Sequence, residues 1–306
     1  MGSHDFTTNH LYSDNFELER SHESTNSSPM KPITSSVQRT TQILGHLKQT
    51  MSNSRPTQAA PWRSAFLTHV NELDSPTFML STLHHDSSGV ITPRSRTVVF
   101  RGLWAELPVN PKNKAPLNPS LYESDLLAIT TDARMEKIPE LSPDGSSPAQ
   151  SGGGGPVEAV FWAVPSRTQW RLRGPAYLLG PDINDPSAAQ VREILEKHMR
   201  QRNSDESGSW DWAKEVTAHF GNLSPMMRGS FKNPAPGTPK SEKPGPGLGL
   251  GQKVDDLDDE IARKNFRVVV IVPEEVDRVD LSDPEEGKRW NYRLTGDSWE
   301  ETELWP

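Results

Sequence analysis

The sequence of 306 residues contains no cysteine, so disulfide bonds, thiol nucleophiles and thiolate metal ligands are excluded. Hydrophobic residues make up only 33% of the chain, which is low for a compact protein of this length. No apolar run approaches the roughly 20 residues that a membrane-spanning helix needs. The glycine-rich phosphate loops of nucleotide-binding proteins and the Gly-x-Ser-x-Gly nucleophile elbow are also missing. We therefore expect neither membrane insertion nor cysteine chemistry.

Three segments explain the shortage of apolar residues. Residues 1–57 are polar and lack apolar periodicity, residues 142–156 have the composition of a flexible linker, and residues 232–253 are dominated by Pro, Gly and Lys. Without them roughly 200 residues remain, enough for one domain with a proper core. We predict a disordered extension over 1–57 and one domain over 58–306, with low-complexity insertions at 142–156 and 232–253.

The net charge of −8 is concentrated at the C-terminus. From Val254 to Pro306 there are 16 acidic residues against seven Lys and Arg, a local charge of −9. An acidic C-terminal part argues against a nucleic-acid partner. We expect a cytoplasmic protein. A mitochondrial location would follow if translation started near Met30, because residues 30–55 are rich in Ser, Thr, Lys and Arg and contain no acid.

The periodicity of the remaining residues is mostly that of strands. Stretches rich in β-branched and aromatic residues are Thr77–Leu83, Arg96–Leu107, Leu126–Thr131, Val157–Val164, Thr168–Leu179, Phe266–Val272 and Arg289–Leu294. Helical patterns are Pro61–Leu73, Pro186–Arg202 and Trp210–Phe220. Many strands, few helices and no repeated βαβ unit predict a mainly β protein built on a barrel.

Basic residues inside the strands are the most informative chemical feature. Arg96 and Arg101 lie in one β-rich stretch, and Arg134 follows Thr130 and Thr131. Buried arginine on a strand needs an anion to neutralise it, and hydroxyls beside it suit a phosphate. Two other interpretations remain: the arginines face solvent, or they make only structural ion pairs. Arg96 and Arg101 are an odd number of positions apart, so a regular strand would place them on opposite faces.

No metal site is expected. His84 and His85 are neighbours in a predicted strand, so their side chains point to opposite faces and cannot share one ion.

Several short motifs occur in an order similar to that of one known family. They are Arg96-Thr-Val-Val-Phe-Arg-Gly102, Ile129-Thr-Thr-Asp-Ala-Arg-Met135, Gln169-Trp-Arg-Leu-Arg-Gly174, Arg289-Trp-Asn-Tyr-Arg293 and the closing Trp299 to Pro306. They resemble motifs of pyridoxamine 5'-phosphate oxidases and related FMN-binding proteins. The likeness covers about two-thirds of the chain and is strongest to a little-characterised branch of the family.

The resemblance implies a split β-barrel homodimer with FMN at the subunit interface and a small-molecule substrate that the sequence does not identify. It implies that cofactor-binding residues are Arg96, Thr97, Val98, Arg101, Thr130, Thr131, Arg134, Lys137, Gln169 and Arg293. It further implies that Arg289 and Asn291 contact substrate, and Arg228 is a conceivable anion contact on the substrate side.

Two departures separate this chain from the oxidase. Met135 replaces a phosphate-binding lysine, for which Lys137 is a candidate substitute. Asn291 replaces a substrate-contacting histidine and cannot titrate near neutrality. These departures favour an FMN-dependent oxidoreductase of unknown substrate, with no catalytic residue assigned. The alternative is a non-enzymatic FMN-binding or interaction module.

Overall fold

The computed structural model describes residues 58–143, 150–203 and 205–306. The extension predicted over residues 1–57 lies outside these residues, as does the middle of the segment predicted as a linker over 142–156. All that follows concerns the described part of the chain.

The chain is mainly β, as its periodicity predicts. The strands are β1 Thr77–His85, β2 Ile91–Val99, β3 Tyr122–Ser124, β4 Leu127–Asp132, β5 Gly152–Ala163, β6 Thr168–Leu179, β7 Met199–Gln201, β8 Phe266–Ile271, β9 Glu275–Asp280, β10 Lys288–Thr295 and β11 Ser298–Leu304. The α-helices are α1 Arg63–Asn71, α2 Lys137–Glu140, α3 Ala189–Glu196, α4 Trp212–Gly221, α5 Pro225–Gly229 and α6 Glu260–Asn265. None of these helices combines the length and apolar character needed to cross a bilayer.

Six strands close into an antiparallel barrel. Strand β1 pairs with β2 and β5, β5 with β6, β6 with β8, and β8 with β4. The residues just after β2 close the ring, because the Arg101 N–H donates to the Ala128 carbonyl at 2.8 Å and the Ala128 N–H donates to Gly102 at 3.0 Å. Arg101 and Gly102 thus lie opposite the single residue Ala128, and this arrangement is a β-bulge.

The barrel is split along β6. The first half of β6 pairs with β9, and its second half pairs with β8. The chain crosses between these partners at Gly174, where an added Cβ would lie 1.9 Å from the Val272 carbonyl oxygen. Strands β9, β10 and β11 extend the sheet beyond this point. Glycine is therefore needed where the two halves of the barrel part.

Two apolar clusters lie on either side of β4 and β8. Leu127 and Ile129 face the barrel interior with Trp170, whereas Ala128 faces a second cluster formed with the helices. Alternate residues of β4 point to opposite faces. Strand β8 is buried at all six positions, which confirms the prediction made from its nearly continuous apolar run.

The helix predicted over Pro186–Arg202 ends at Glu196, and Met199–Gln201 forms strand β7 instead. Two predicted strand boundaries are also wrong. The strand predicted over Arg96–Leu107 ends at Val99, because the bulge and the positive φ of 98° at Gly102 bend the chain toward β4. Residues 152–156, predicted as linker, begin β5, and Gly153 and Gly154 form an irregularity that accommodates Leu141 and Tyr177. Both errors arise from glycine, which permits bulges as readily as loops.

Phe66 is the centre of the barrel's aromatic core. Its ring makes edge contacts with Trp62, Phe100, Phe161 and Trp170, and it is fully buried. We expect Phe66→Ala to lower the free energy of unfolding by about 3–5 kcal/mol, as typical buried phenylalanines do. Urea denaturation measures this, with the exposed Ser64→Ala on the same helix as control. A loss below about 1 kcal/mol would show that helix α1 does not seal the barrel.

Candidate functional site

The two strands β2 and β4 are joined only at one end. Hydrogen bonds connect Arg101 and Gly102 to Ala128, and none is recorded between β2 itself and β4 within the described residues. The backbone edge of β2 from Arg96 to Val99 therefore borders an opening, called here the split. An open strand edge is available for polar contacts with a ligand.

The inner side of the split carries a cluster of charged side chains. Arg96 pairs across the sheet with Leu80, so it shares the face of that interior residue. Its Nη2 lies 2.6 Å from Glu140, a carboxylate with only 2% of its side chain exposed. Glu140 also accepts a hydrogen bond from Thr82 at 2.6 Å and lies 3.2 Å from His84 Nδ1. Sequence reasoning did not identify Glu140.

Lys137 is a buried cation in the same cluster. Its Nζ donates to the Thr131 hydroxyl at 3.0 Å and contacts the Met135 sulfur at 2.7 Å, and no described carboxylate lies within ion-pair distance. Burial, and secondarily the charge of Arg96, lowers the pKa of Lys137 to about 8 from 10.5. Two neighbouring cations that repel each other across a desolvated space are arranged to receive an anion.

Arg101 lies on the other side of β4. Its Nε donates to Thr130 at 3.3 Å, and no described acid pairs with it. Burial lowers its pKa. His219 is fully buried nearby, and its pKa is lowered to about 3. Burial is the larger cause, and the positive charge of Arg101 is the second. The expected opposite orientation of Arg96 and Arg101 is thus present, and both residues border the split.

A second group of predicted site residues lies elsewhere, on the outer face of the sheet. Strand register places side chains from six strands in one row, since directly paired residues point to the same side. The row is Thr97, Met79, Val160, Arg171, Asp277 and Asn291. Gln169 lies on the same face, two residues before Arg171, and pairs with Val279. Arg293 lies on this face two residues after Asn291 and pairs with Glu275.

The arginines of this outer face are neutralised by acids of β9. Asp277, with 4% of its side chain exposed, bonds to Arg171 at 2.7 Å and to Arg289 at 2.9 Å. Glu275 pairs with Arg173 at 2.9 Å and accepts a hydrogen bond from Asn291 at 3.1 Å. The sequence did not predict β9, since the two apolar residues of Glu275–Asp280, Val276 and Val279, are three positions apart and so lack the alternation typical of a half-buried strand.

Two cavities border this face. One, of about 450 Å³, is lined by the paired arginines together with Asn291 and Thr302. The other, of about 990 Å³, is lined by Ser81, Glu158, Arg173 and Arg293 and reaches Thr82, which hydrogen-bonds Glu140. The larger cavity therefore connects the outer face with the neighbourhood of Arg96.

Arg134 and Arg228 have partners that direct them away from both groups. Arg134 makes a two-point ion pair with Asp132, with Nη2 at 2.6 Å, and donates to the Asn233 and Phe231 carbonyls. Arg228 is buried and donates to three backbone carbonyls near α5. The structure does not bring either guanidinium to the split.

Residues 59–180 match the profile of the family described as "Pyridoxamine 5'-phosphate oxidase, FMN-binding domain". Over these residues the chain is similar to the FMN-binding domain of the pyridoxamine 5'-phosphate oxidase type. FMN is the cofactor of this domain family. The matched range includes the whole split and Gln169, whereas Arg289 and Asn291, which were expected to contact substrate, lie beyond it.

The chain is also similar to one curated sequence and to several solved structures. A 101-residue stretch is 28% identical to the uncharacterised protein YGR017W of Saccharomyces cerevisiae, covering 31% of this chain and 34% of that protein. The chain thus spans about a third of that relative. A pyridoxamine 5'-phosphate oxidase-related, FMN-binding protein of Nostoc punctiforme has a similar fold, with a TM-score of 0.50 and 20% identity over 81% of this chain and all of that one. PhzG of Burkholderia lata, solved with tetrahydrophenazine-1-carboxylic acid, aligns with a TM-score of 0.33 and 15% identity over 79% and 87% of the chains.

The residues around the split fit a flavin phosphate. Lys137 is a desolvated cation without a carboxylate partner, and the Thr131 hydroxyl adjoins it. Arg96 adds a second charge, partly offset by Glu140. A phosphate group, which carries a charge of roughly −1.5 to −2, would complement these two cations.

Proposed function

We propose that FMN binds along the split, with its phosphate held by Arg96, Lys137 and the Thr131 hydroxyl. The observation that carries the proposal is the buried Lys137 ammonium, which neighbours Arg96 and lacks any described carboxylate partner. The backbone of Thr97 and Val98 then borders the ring system at the open edge of β2. On the opposite side, Arg101 and Thr130 supply donors.

We further propose that the site is completed by a second copy of the chain. Gln169 and Arg293 lie on the outer sheet face, whereas Arg96 and Lys137 lie on the interior side of their strands. The outer face of the second copy would place that copy's Gln169 and Arg293 at the split. Exposed apolar side chains on that face, Met79 at 42% and Trp162 at 48%, support an interface there.

The activity proposed for the assembled site is that of a flavin-dependent oxidoreductase. The bound flavin would accept two electrons from a reduced substrate and pass them to an acceptor. The chain's residues would bind and orient the reactants. Asp277 fixes Arg289 toward the smaller outer cavity, and Glu275 fixes Asn291. Because Asp277 and Glu275 already neutralise these arginines, the cavity does not require an anionic substrate.

The shared site is tested by complementation between two defective chains. Arg96→Ala and Gln169→Ala would each impair both sites of a homodimer. After the two variants are mixed and allowed to exchange, mixed dimers contain one site with both wild-type residues, so FMN binding should return in part. Flavin fluorescence titration measures it, and sedimentation verifies the dimer. Failure to recover binding in a mixture of proven dimers would refute the shared site.

The affinity for FMN should fall as pH rises above about 8. Lys137 loses its proton near that pH in the free protein, whereas a bound phosphate would raise its pKa, so binding takes up a proton. The dissociation constant should increase by up to tenfold per pH unit between about 8 and 9.5. In Lys137→Met, which keeps the volume and removes the charge, affinity should be weaker and no longer vary over this range.

An enzyme and a binding module respond differently to reductants. Holoprotein mixed anaerobically with reduced nicotinamides and with pyridoxamine phosphate should lose its flavin absorbance with at least one reductant. If the flavin stays oxidised across a panel of reductants, the chain is an FMN-binding module and the oxidoreductase proposal is wrong.

A further inference from the structure

A separate cavity of about 470 Å³ lies among the helices that cover the second apolar cluster. It is lined by Lys112, Lys114, Arg228, Asp255, Leu223 and Leu257, with Pro225 and Ser224 beside them. It shares no lining residue with the split or with the two cavities of the outer sheet face. Its volume is within the range of small-molecule sites.

The wall that carries the two lysines is held in place by hydrogen bonds. The Asn110 N–H donates to the side chain of Asn222 at 2.6 Å, and Asn113 donates to the Ala218 carbonyl at 3.0 Å at the end of α4. At Gly221 an added Cβ would lie 2.3 Å from the Asn113 side-chain oxygen. The loop thus packs closely on the helix, and the cavity is preformed.

Arg228 forms a fixed cationic wall. Nε donates to Val254 at 2.8 Å, and Nη1 donates to Leu223 at 2.7 Å and Gly221 at 3.1 Å. Only 7% of the residue is exposed. No described carboxylate lies within ion-pair distance, and no described group accepts a hydrogen bond from Nη2. The guanidinium also lies 5.9 Å from the centre of the Phe220 ring, and Asp255 of the same cavity attracts it from beyond ion-pair distance. The charge of Arg228 is therefore only partly offset and is available to a ligand.

The remaining walls combine charge with apolar surface. Lys112 and Lys114 are exposed at the rim, so three cations face one carboxylate, Asp255. Leu223 and Leu257 provide an apolar wall. We propose that this cavity binds a small organic carboxylate with an aliphatic or aromatic body, separately from the flavin site. The carboxylate contacts Arg228 and the two lysines, and the body packs on the leucines.

The test uses octanoate as the probe and the full-length, FMN-saturated protein, so that the split is occupied. Calorimetry should detect octanoate binding to the wild type. Lys112→Glu/Lys114→Glu should weaken it about tenfold or more, since about 1.4 kcal/mol of lost attraction is tenfold. The matched control Lys240→Glu/Lys243→Glu makes the same charge change at exposed positions outside the cavity and should bind as the wild type does.

Two further probes define the ligand class. Acetate lacks the apolar body and octan-1-ol lacks the charge, so each should bind at least tenfold more weakly than octanoate. Equal binding by acetate or by octanol would overturn the proposed ligand class. Absence of octanoate binding, or equal loss in both charge-reversed variants, would overturn the site itself. These measurements do not depend on the flavin's redox activity.

Discussion

Replacing Arg96 with alanine is expected to weaken FMN binding about 100-fold. A charge-assisted hydrogen bond from a guanidinium to phosphate contributes about 1.5–3 kcal/mol, and 100-fold corresponds to about 2.7 kcal/mol. Arg96 reaches the inner side of the split, where Lys137 is the other cation, so no neighbouring arginine replaces it. Flavin fluorescence quenching during titration with FMN measures the dissociation constant.

The control for Arg96 lies two positions away in the same strand. Arg94 is exposed, and Arg94→Ala removes the same charge, so it reports any general electrostatic effect. It should change the affinity less than threefold. Because Arg96→Ala also leaves the buried Glu140 without its strongest partner, Arg96→Ala/Glu140→Gln should be included to restore neutrality. Equal affinities of Arg96→Ala and Arg94→Ala would refute the phosphate assignment.

Gly174→Ala is expected to lower the free energy of unfolding by about 3 kcal/mol. The new methyl group would lie 1.9 Å from the Val272 carbonyl oxygen, and both neighbouring segments are backbone held by hydrogen bonds. The Val272 N–H donates to Pro175 at 2.9 Å, and the Glu274 N–H donates to Arg173 at 2.8 Å. The clash can be relieved only if the two halves of the barrel separate. The loss of stability should therefore be at the upper end of the range found for overpacked cores.

A matched glycine distinguishes this clash from the general effect of the substitution. Gly152 begins β5, and an added Cβ there meets no atom within 4 Å. Gly152→Ala should therefore leave the midpoint of urea denaturation almost unchanged or raise it slightly. If Gly174→Ala is as stable as Gly152→Ala, the close approach between Gly174 and Val272 is not rigid.

The sequence by itself determined the class of the fold and most of its strands. Phe266–Val272 predicted a doubly buried strand because its apolar run is continuous, and β8 has that property. The motif around Arg96 indicated the domain family that the profile of residues 59–180 identifies. Arg96 and Arg101 do lie on opposite sides of β4, but β2 ends at Val99 and Arg101 belongs to the bulge, so the parity of a regular strand is not the reason.

Only the tertiary structure decided which charges are free. Arg134 and Arg96 look equivalent in the sequence, but in the structure Arg134 forms an ion pair with Asp132 and Arg96 forms one with Glu140. Lys137 became the residue of interest because packing buries its ammonium without bringing any described carboxylate within ion-pair distance. Gln169 and Arg293 were likewise assigned to one site with Arg96, whereas strand register puts them on another face. Sheet register and the pairing of Arg96 with Glu140 depend on residues distant in the chain, so no local pattern could specify them.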